Sequence, residues 1–189
     1  MPKSNVSIYQ LKITLLESKP PIWRRVLVSS DVTFEELHVV IQIAMGWMGG
    51  HLHEFRMGRD ISIGDPALDE GYGPQILDDR TTLLHNMLKR EKQKLNYLYD
   101  FGDGWEHQVL LERILPYNDK TILPHCVKGK RACPPEDVGG VWGYEEFLDA
   151  INDSSHPDHE DMLDWIEGSF DPETFDLDET NRRLHRHWR

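Results

Sequence analysis

Between Tyr9 and Leu15 the chain alternates strictly, with Tyr9, Leu11, Ile13 and Leu15 apolar and Gln10, Lys12 and Thr14 polar. A period of two puts every apolar side chain on one face of an extended strand. Ser18-Lys19-Pro20-Pro21 interrupts the pattern, and Ile22 to Val28 resumes it as the returning arm of a hairpin. Arg24 falls on the apolar side of that arm with Ile22, Val26 and Val28. A cation placed there requires a carboxylate or a backbone carbonyl as partner. The period then changes. Phe34, Leu37, Ile41, Ala44 and Met45 recur at helical spacing, Thr33 and Glu36 stand as a capping box, and Gly46 supplies the stop.

His51 to Met57 reads as a third strand, with His51, His53, Phe55 and Met57 on one side. Residues 59–80, rich in Gly, Asp and Pro, form a long excursion without a period, and loops of that length are often functional. Thr82 to Leu95 reads as a helix with Leu84, Met87 and Leu88 on its apolar side. Tyr97 to Phe101 and Trp105 to Glu112 make the clearest hairpin, turned by Gly102-Asp103-Gly104. Its buried face is expected to carry Tyr97, Tyr99, Phe101, Trp105, His107, Val109 and Leu111. A loop over 116–140 holds both cysteines, and the remainder is helical: Tyr144, Phe147, Leu148 and Ile151 form one stripe. Pro157 opens a segment with Met162, Trp165 and Ile166, and Asp171-Pro172-Glu173 starts the last one. The expected fold is α+β, a mixed or antiparallel sheet built from two hairpins plus a further strand and packed by helices. One domain is expected over 1–189, with a sheet-rich part at 1–115 and an acidic helical lobe at 141–189.

Charge sharpens the last point. The net charge is −12, and twelve of the 33 acidic residues lie between Asp149 and Glu179, a stretch without Lys or Arg. The other 21 are balanced by 21 Lys and Arg. An acidic lobe repels phosphate backbones and argues against non-specific nucleic-acid binding. Arg182, Arg183, Arg186 and Arg189 then complement the dipole of a helix C-terminus. No apolar run reaches the roughly 18 residues that span a bilayer, and residues 1–5 contain no apolar signal core. Cys126 and Cys133, without secretory context, read as reduced thiols of a cytoplasmic chain.

Four constellations carry possible chemistry. His51 and His53 point the same way from a strand, and His107, Cys126, Cys133, Asp137, His156 and His159 add further metal-ligand types. Cys-x6-Cys is not the spacing of a closed zinc motif, and His156-Pro157-Asp158-His159-Glu160 is not that of a metalloprotease helix. Core or hydrogen-bonded histidines, and hence no cofactor, are the expectation, with zinc or another divalent metal as the alternative. Asp100, Asp103 and His107 with Glu136 and Asp137 are the catalytic candidates, because a carboxylate beside an imidazole is general-base chemistry. Cys133 beside Arg131 is a conceivable nucleophile, although no cysteine-hydrolase signature surrounds it and a packed thiol is the plainer reading. The run Val127-Lys128-Gly129-Lys130-Arg131 either contacts an anion or pairs with the acidic lobe. Arg24, Trp105 and Arg131 are the binding candidates.

A resemblance spans nearly the whole chain. Pro20-Pro21-Ile22-Trp23-Arg24-Arg25, Ala44-Met45-Gly46-Trp47, His51-Leu52-His53-Glu54-Phe55, Tyr99 through His107, Gly129 through Gly140, Gly143-Tyr144 and Phe170-Asp171-Pro172-Glu173 with Phe175 resemble the plasmid pRiA4b ORF-3-like family. That resemblance implies an α+β protein of bacteria and archaea, found on plasmids and beside mobile elements, without a settled activity. A resolvase-like label attached to some relatives does not transfer: no Tyr follows Tyr144, and Ser4 and Ser7 lack the arginine cluster of a serine resolvase. The expected function is a non-enzymatic binding or regulatory module for a protein or small-molecule partner. A metal-assisted hydrolase and a DNA-associated protein of a mobile element are the alternatives. The hydrolase requires His53, His107 and Asp100 or Asp103 to converge, whereas the binding module requires an exposed apolar patch or a charged groove.

Overall fold

A computed structural model of the chain describes residues 6–188 apart from 70, 72 and 74. Segment 1–5 with Ser4, the terminal Arg189 and three positions of the 59–80 excursion lie outside the described residues. Strands β1 (Ser7–Leu15) and β2 (Trp23–Ser29) form the first hairpin, followed by helix α1 (Phe34–Met45) and strand β3 (His53–Met57). Strands β4 (Ile61–Gly64) and β5 (Ile76–Asp78) and the single turn α2 (Leu84–Met87) lead to the hairpin of β6 (Lys94–Tyr99) and β7 (Trp105–Pro116). Strand β8 (His125–Lys130) and helices α3 (Gly140–Asn152), α4 (His159–Trp165) and α5 (Leu177–His187) complete the chain. The eight strands make one mixed sheet in the order β5-β4-β3-β6-β7-β1-β2-β8, parallel only between β4 and β5.

The core follows from the alternation. Leu11 and Ile13 of β1, Val26 and Val28 of β2 and Val109 and Leu111 of β7 turn inward and are fully buried beneath Phe34, Leu37, Val40 and Ile41 of α1. Thr33 and Glu36 close a capping box on α1, and Gly46 ends it at φ 114°. Tyr144 and Phe147 of α3 and Leu184 of α5 belong to the same apolar cluster, so the acidic helices are packed onto the sheet through their apolar sides. No helix among the described residues is long and apolar enough to cross a membrane.

Arg24 finds carbonyl partners. Its Nε donates to Ala44 O at 2.7 Å, and its Nη1 donates to Trp23 O at 2.9 Å and Lys130 O at 3.0 Å. Its guanidinium lies 4.0 Å from the centroid of the Phe175 ring. Because α1 has no basic residue in its last turn, Arg24 supplies from the sheet the cation that a helix C-terminus favours.

Other expectations are corrected. The helix read over 82–95 exists only as α2, because Leu95, Tyr97 and Tyr99 alternate into the core and are claimed by β7 and β3. Lys92 takes φ 70° between the two segments, and the Gln93 side chain accepts from Lys89 N and Arg90 N to hold the reversal. Phe101 is not buried: Asp100 at φ 55° ends the alternation one residue early. The excursion contains β4 and β5, and the 116–140 loop contains β8. A bulge opposite Arg25 and Val26 breaks the alternation of β8 and hides it from a period-two search. The last helix starts at Leu177, where Asp176 accepts from Glu179 N at 2.8 Å, and not at Asp171.

Candidate functional site

The turn between β6 and β7 is built on Asp100. In the left-handed region, its Oδ1 accepts from Gly102 N at 2.9 Å and its carbonyl from Gly104 N at 2.7 Å. Its own N–H donates to Leu52 O at 2.9 Å, which ties the turn to the loop entering β3. That loop carries His51, since β3 begins only at His53. Asp100 Oδ2 lies 3.6 Å from His51 Nδ1, and His51 Nε2 lies 3.4 Å from Asp137 Oδ1. One ligand atom from each of the three falls within 4.8 Å of the others.

Asp137 arrives on the segment that joins β8 to α3, and that segment is clamped to the hairpin turn. Asp103 Oδ2 accepts from Gly139 N at 3.2 Å. At Gly140, with φ 72°, a Cβ would lie 2.4 Å from Asp103 O, so only glycine permits the approach. Glu136 accepts from Tyr99 OH at 2.5 Å with Oε1 and from Met48 N at 3.2 Å with Oε2. Burial and the Glu136 carboxylate push the Tyr99 phenol well above its usual range. Trp47 donates from Nε1 to Pro134 O at 2.9 Å and packs on Tyr99 and Trp105, with ring centroids 5.1 and 5.6 Å away. Like Asp100, Asp137 has positive φ, 60°, and such backbone cost in a non-glycine residue is characteristic of functional sites.

Large apolar side chains are exposed on the same segments. Met48 is 87% exposed, Leu52 51% and Phe101 48%. Leu52 follows His51, Phe101 follows Asp100, and the Met48 N–H is held by Glu136, so the three lie on or against the segments that carry the His51–Asp100–Asp137 group.

The remaining candidates lie elsewhere. His53 Nε2 donates to Asp79 Oδ2 at 3.1 Å, and its ring stacks on His38 with centroids 3.7 Å apart. Gln42 Nε2 donates to Tyr97 OH at 2.8 Å, and Tyr97 OH lies 2.7 Å from His38 Nδ1. Desolvation by burial, with His53 close by, lowers the His38 pKa to about 3. Burial also lowers that of His53, against the raising effect of Asp79. His107 is fully buried, donates from Nδ1 to Trp105 O at 3.0 Å, and is lowered to about 4 chiefly by desolvation. Its Nε2 has no hydrogen-bond partner among the described residues. Among those residues the structure does not gather His53, His107, Cys126 or Cys133 with His51 into one donor group.

Both thiols are raised by desolvation, Cys126 to about 11 and Cys133 higher still, so neither is an activated nucleophile. His159 donates from Nδ1 to Ala150 O at 2.8 Å, while His156 lies 4.0 Å from Asp158. Arg24 and Trp105 belong to the interior, and Arg131 is paired with Glu173 of the acidic lobe, one of the two partners its loop admitted. Sequence reasoning missed His38, Gln42 and Asp79. The available signal was a polar pair four residues apart on the apolar side of α1.

Comparison with known proteins agrees on the architecture. The family model of the plasmid pRiA4b ORF-3-like protein matches residues 7–179. The uncharacterised protein y4hQ of Sinorhizobium fredii (strain NBRC 101917 / NGR234) is 44% identical over 163 residues, covering 86% of this chain and 82% of its own. A crystal structure of a protein of unknown function from Methanosarcina mazei Go1 superposes with a TM-score of 0.83 at 38% identity, covering 92% of this chain and 96% of its own.

Proposed function

We propose that this chain, which belongs to the plasmid pRiA4b ORF-3-like family, is a binding module whose recognition surface is the corner formed by the β6–β7 turn, the loop before β3 and the segment before α3. The observation that carries the reading is the exposure of Met48, Leu52 and Phe101 beside, along the chain or through a backbone hydrogen bond, the convergent polar group of His51, Asp100 and Asp137. Large apolar side chains exposed beside convergent polar groups suit a partner that buries the first and is oriented by the second. The rigid floor beneath them supports the same role. Tyr99 and the Met48 N–H are hydrogen-bonded to Glu136, and Trp47, bonded to Pro134 O, packs on Tyr99, so little ordering entropy is left to lose on binding. The hydrolase alternative draws no comparable support, since His53 and His107 are occupied inside the core.

Site-specific photo-crosslinking in cells tests the reading. A benzophenone-bearing residue in place of Leu52 or Phe101 is expected to give a discrete adduct that is lost when Met48→Glu is added. The same probe replacing Val127, exposed on β8, serves as the control position. Equal labelling at Val127, or no adduct from either corner position, would reject the reading.

A further inference from the structure

We infer that His51, Asp100 and Asp137 form a site for a divalent transition-metal ion, a step that rests on reading this corner as the binding surface. The argument begins with which polar atoms are already engaged. Glu136 spends both oxygens on Tyr99 and Met48, and Asp103 Oδ2 receives Gly139 N. Asp100 spends Oδ1 on the turn. Its Oδ2 receives no hydrogen bond among the described residues, although Asp100 is only 8% exposed. That carboxylate, its side chain 11% exposed, aims one oxygen at an imidazole 3.6 Å away with no donor to it from the described residues.

Neutral His51 cannot compensate both carboxylates. In its neutral form imidazole carries one N–H, so only one of Asp100 and Asp137 can receive it. The other carboxylate then faces a nitrogen lone pair, at 3.6 Å for Nδ1 or 3.4 Å for Nε2. A cation between that lone pair and the carboxylate oxygens replaces a repulsion with two attractions. Donors that share an ion at about 2.0–2.2 Å lie roughly 3–4 Å apart; the carboxylates lie 3.6 Å from Nδ1 and 3.4 Å from Nε2, and one ligand atom from each residue falls within 4.8 Å of the other two.

The donor set also selects the ion. Imidazole with carboxylates suits zinc or manganese, whereas calcium and magnesium prefer oxygen alone. Three protein donors leave further positions open, and because Asp137 is exposed those positions are open to solvent and to a bound partner. There the ion takes water or an anionic oxygen of the bound partner.

The test uses the full chain, purified without an affinity tag and stripped with chelator, titrated calorimetrically with Zn2+, Mn2+ and Mg2+. One equivalent of Zn2+ or Mn2+ is expected, with little binding of Mg2+. Affinity is expected to fall at least roughly 100-fold in His51→Ala and in Asp137→Asn, a larger effect than loss of an outer-shell partner. Because the Asp137 side chain is exposed, that variant keeps the fold and reports on the site alone. The stacked pair His125 and His185, with nitrogens 3.3 Å apart, is the competing location. Binding that survives Asp137→Asn but vanishes in His125→Ala overturns the inference, as does the absence of any stoichiometric ion. Crosslinking at Leu52 in the presence of chelator reports separately on the binding surface, so failure of the metal site and failure of that surface are distinguishable.

Discussion

Arg24 shows how much one side chain joins. Its guanidinium meets the last turn of α1 through Ala44 O, the edge strand through Lys130 O, and the C-terminal segment through the Phe175 ring. Desolvation lowers its pKa, yet it stays a cation because the carbonyls around it are the negative end of a helix dipole and two strand ends. Arg24→Met removes the charge and leaves those carbonyls without donors, and truncating one partner of a buried polar cluster costs about 3–5 kcal/mol. The expected outcome is a fall of that size in unfolding free energy by urea denaturation, with Arg24→Lys intermediate because an ammonium cannot reproduce the planar fork. The need for a partner was legible from an arginine among alternating apolar residues. That the partners would be carbonyls from distant segments was not, because which carbonyls are unclaimed is decided by tertiary packing.

At the level of elements, legibility tracks how far a segment's own periodicity agrees with its surroundings. The first hairpin and α1 follow from local pattern because strand alternation, capping box and C-terminal glycine all point to one outcome. Residues 82–95 fail because their Leu, Met, Lys and Glu favour helix locally while Leu95 and Tyr97 are needed between β7 and β3. The site is partly legible for the same reason. The sequence groups Asp100, Asp103, His107, Glu136 and Asp137, of which His107 turns into the core. Reading His51 into a strand that begins two residues later pairs it with His53 instead of the two carboxylates. The contact between the segment before α3 and the β6–β7 turn depends on Gly140, where both positive φ and a Cβ 2.4 Å from Asp103 O exclude side chains. Gly140→Ala is expected to cost about 1–3 kcal/mol through strain at that position. It should also raise protease sensitivity between residues 131 and 140 and weaken Zn2+ binding, while the urea-unfolding slope stays unchanged. Unchanged metal affinity in a destabilised variant would show that Asp137 is positioned independently of the clamp.

For the whole molecule the decisive quantity is how stability depends on pH, because burial holds His38 and His107 in the neutral state. His38 faces His53 from β3, Tyr97 from β6 and Gln42 on its own helix, while His107 faces Trp47, Tyr97 and the Arg24 charge. Their folded pKa values, about 3 and about 4, lie below the ordinary 6.5, so between pH 6.5 and 4 the unfolded chain binds more protons than the folded one. Their contribution is therefore fully present above pH 6.5 and is lost as pH falls toward the folded values. The slope approaches roughly 1.4 kcal/mol per pH unit for each group. Carboxylates add their own losses mainly below about pH 4.5, which leaves a window in which the histidines dominate. Urea midpoints are expected to drop clearly from pH 7.5 to 5.0 with little change from 7.5 to 8.5. His38→Gln, which keeps an amide near the Tyr97 hydroxyl, should remove part of the drop at some cost in stability at neutral pH. A flat profile between pH 7.5 and 5.0 would mean that the stacked imidazoles reach solvent. The dry interior beneath the Trp47–Tyr99 floor, on which the rigidity of the binding corner depends, would then have to be abandoned.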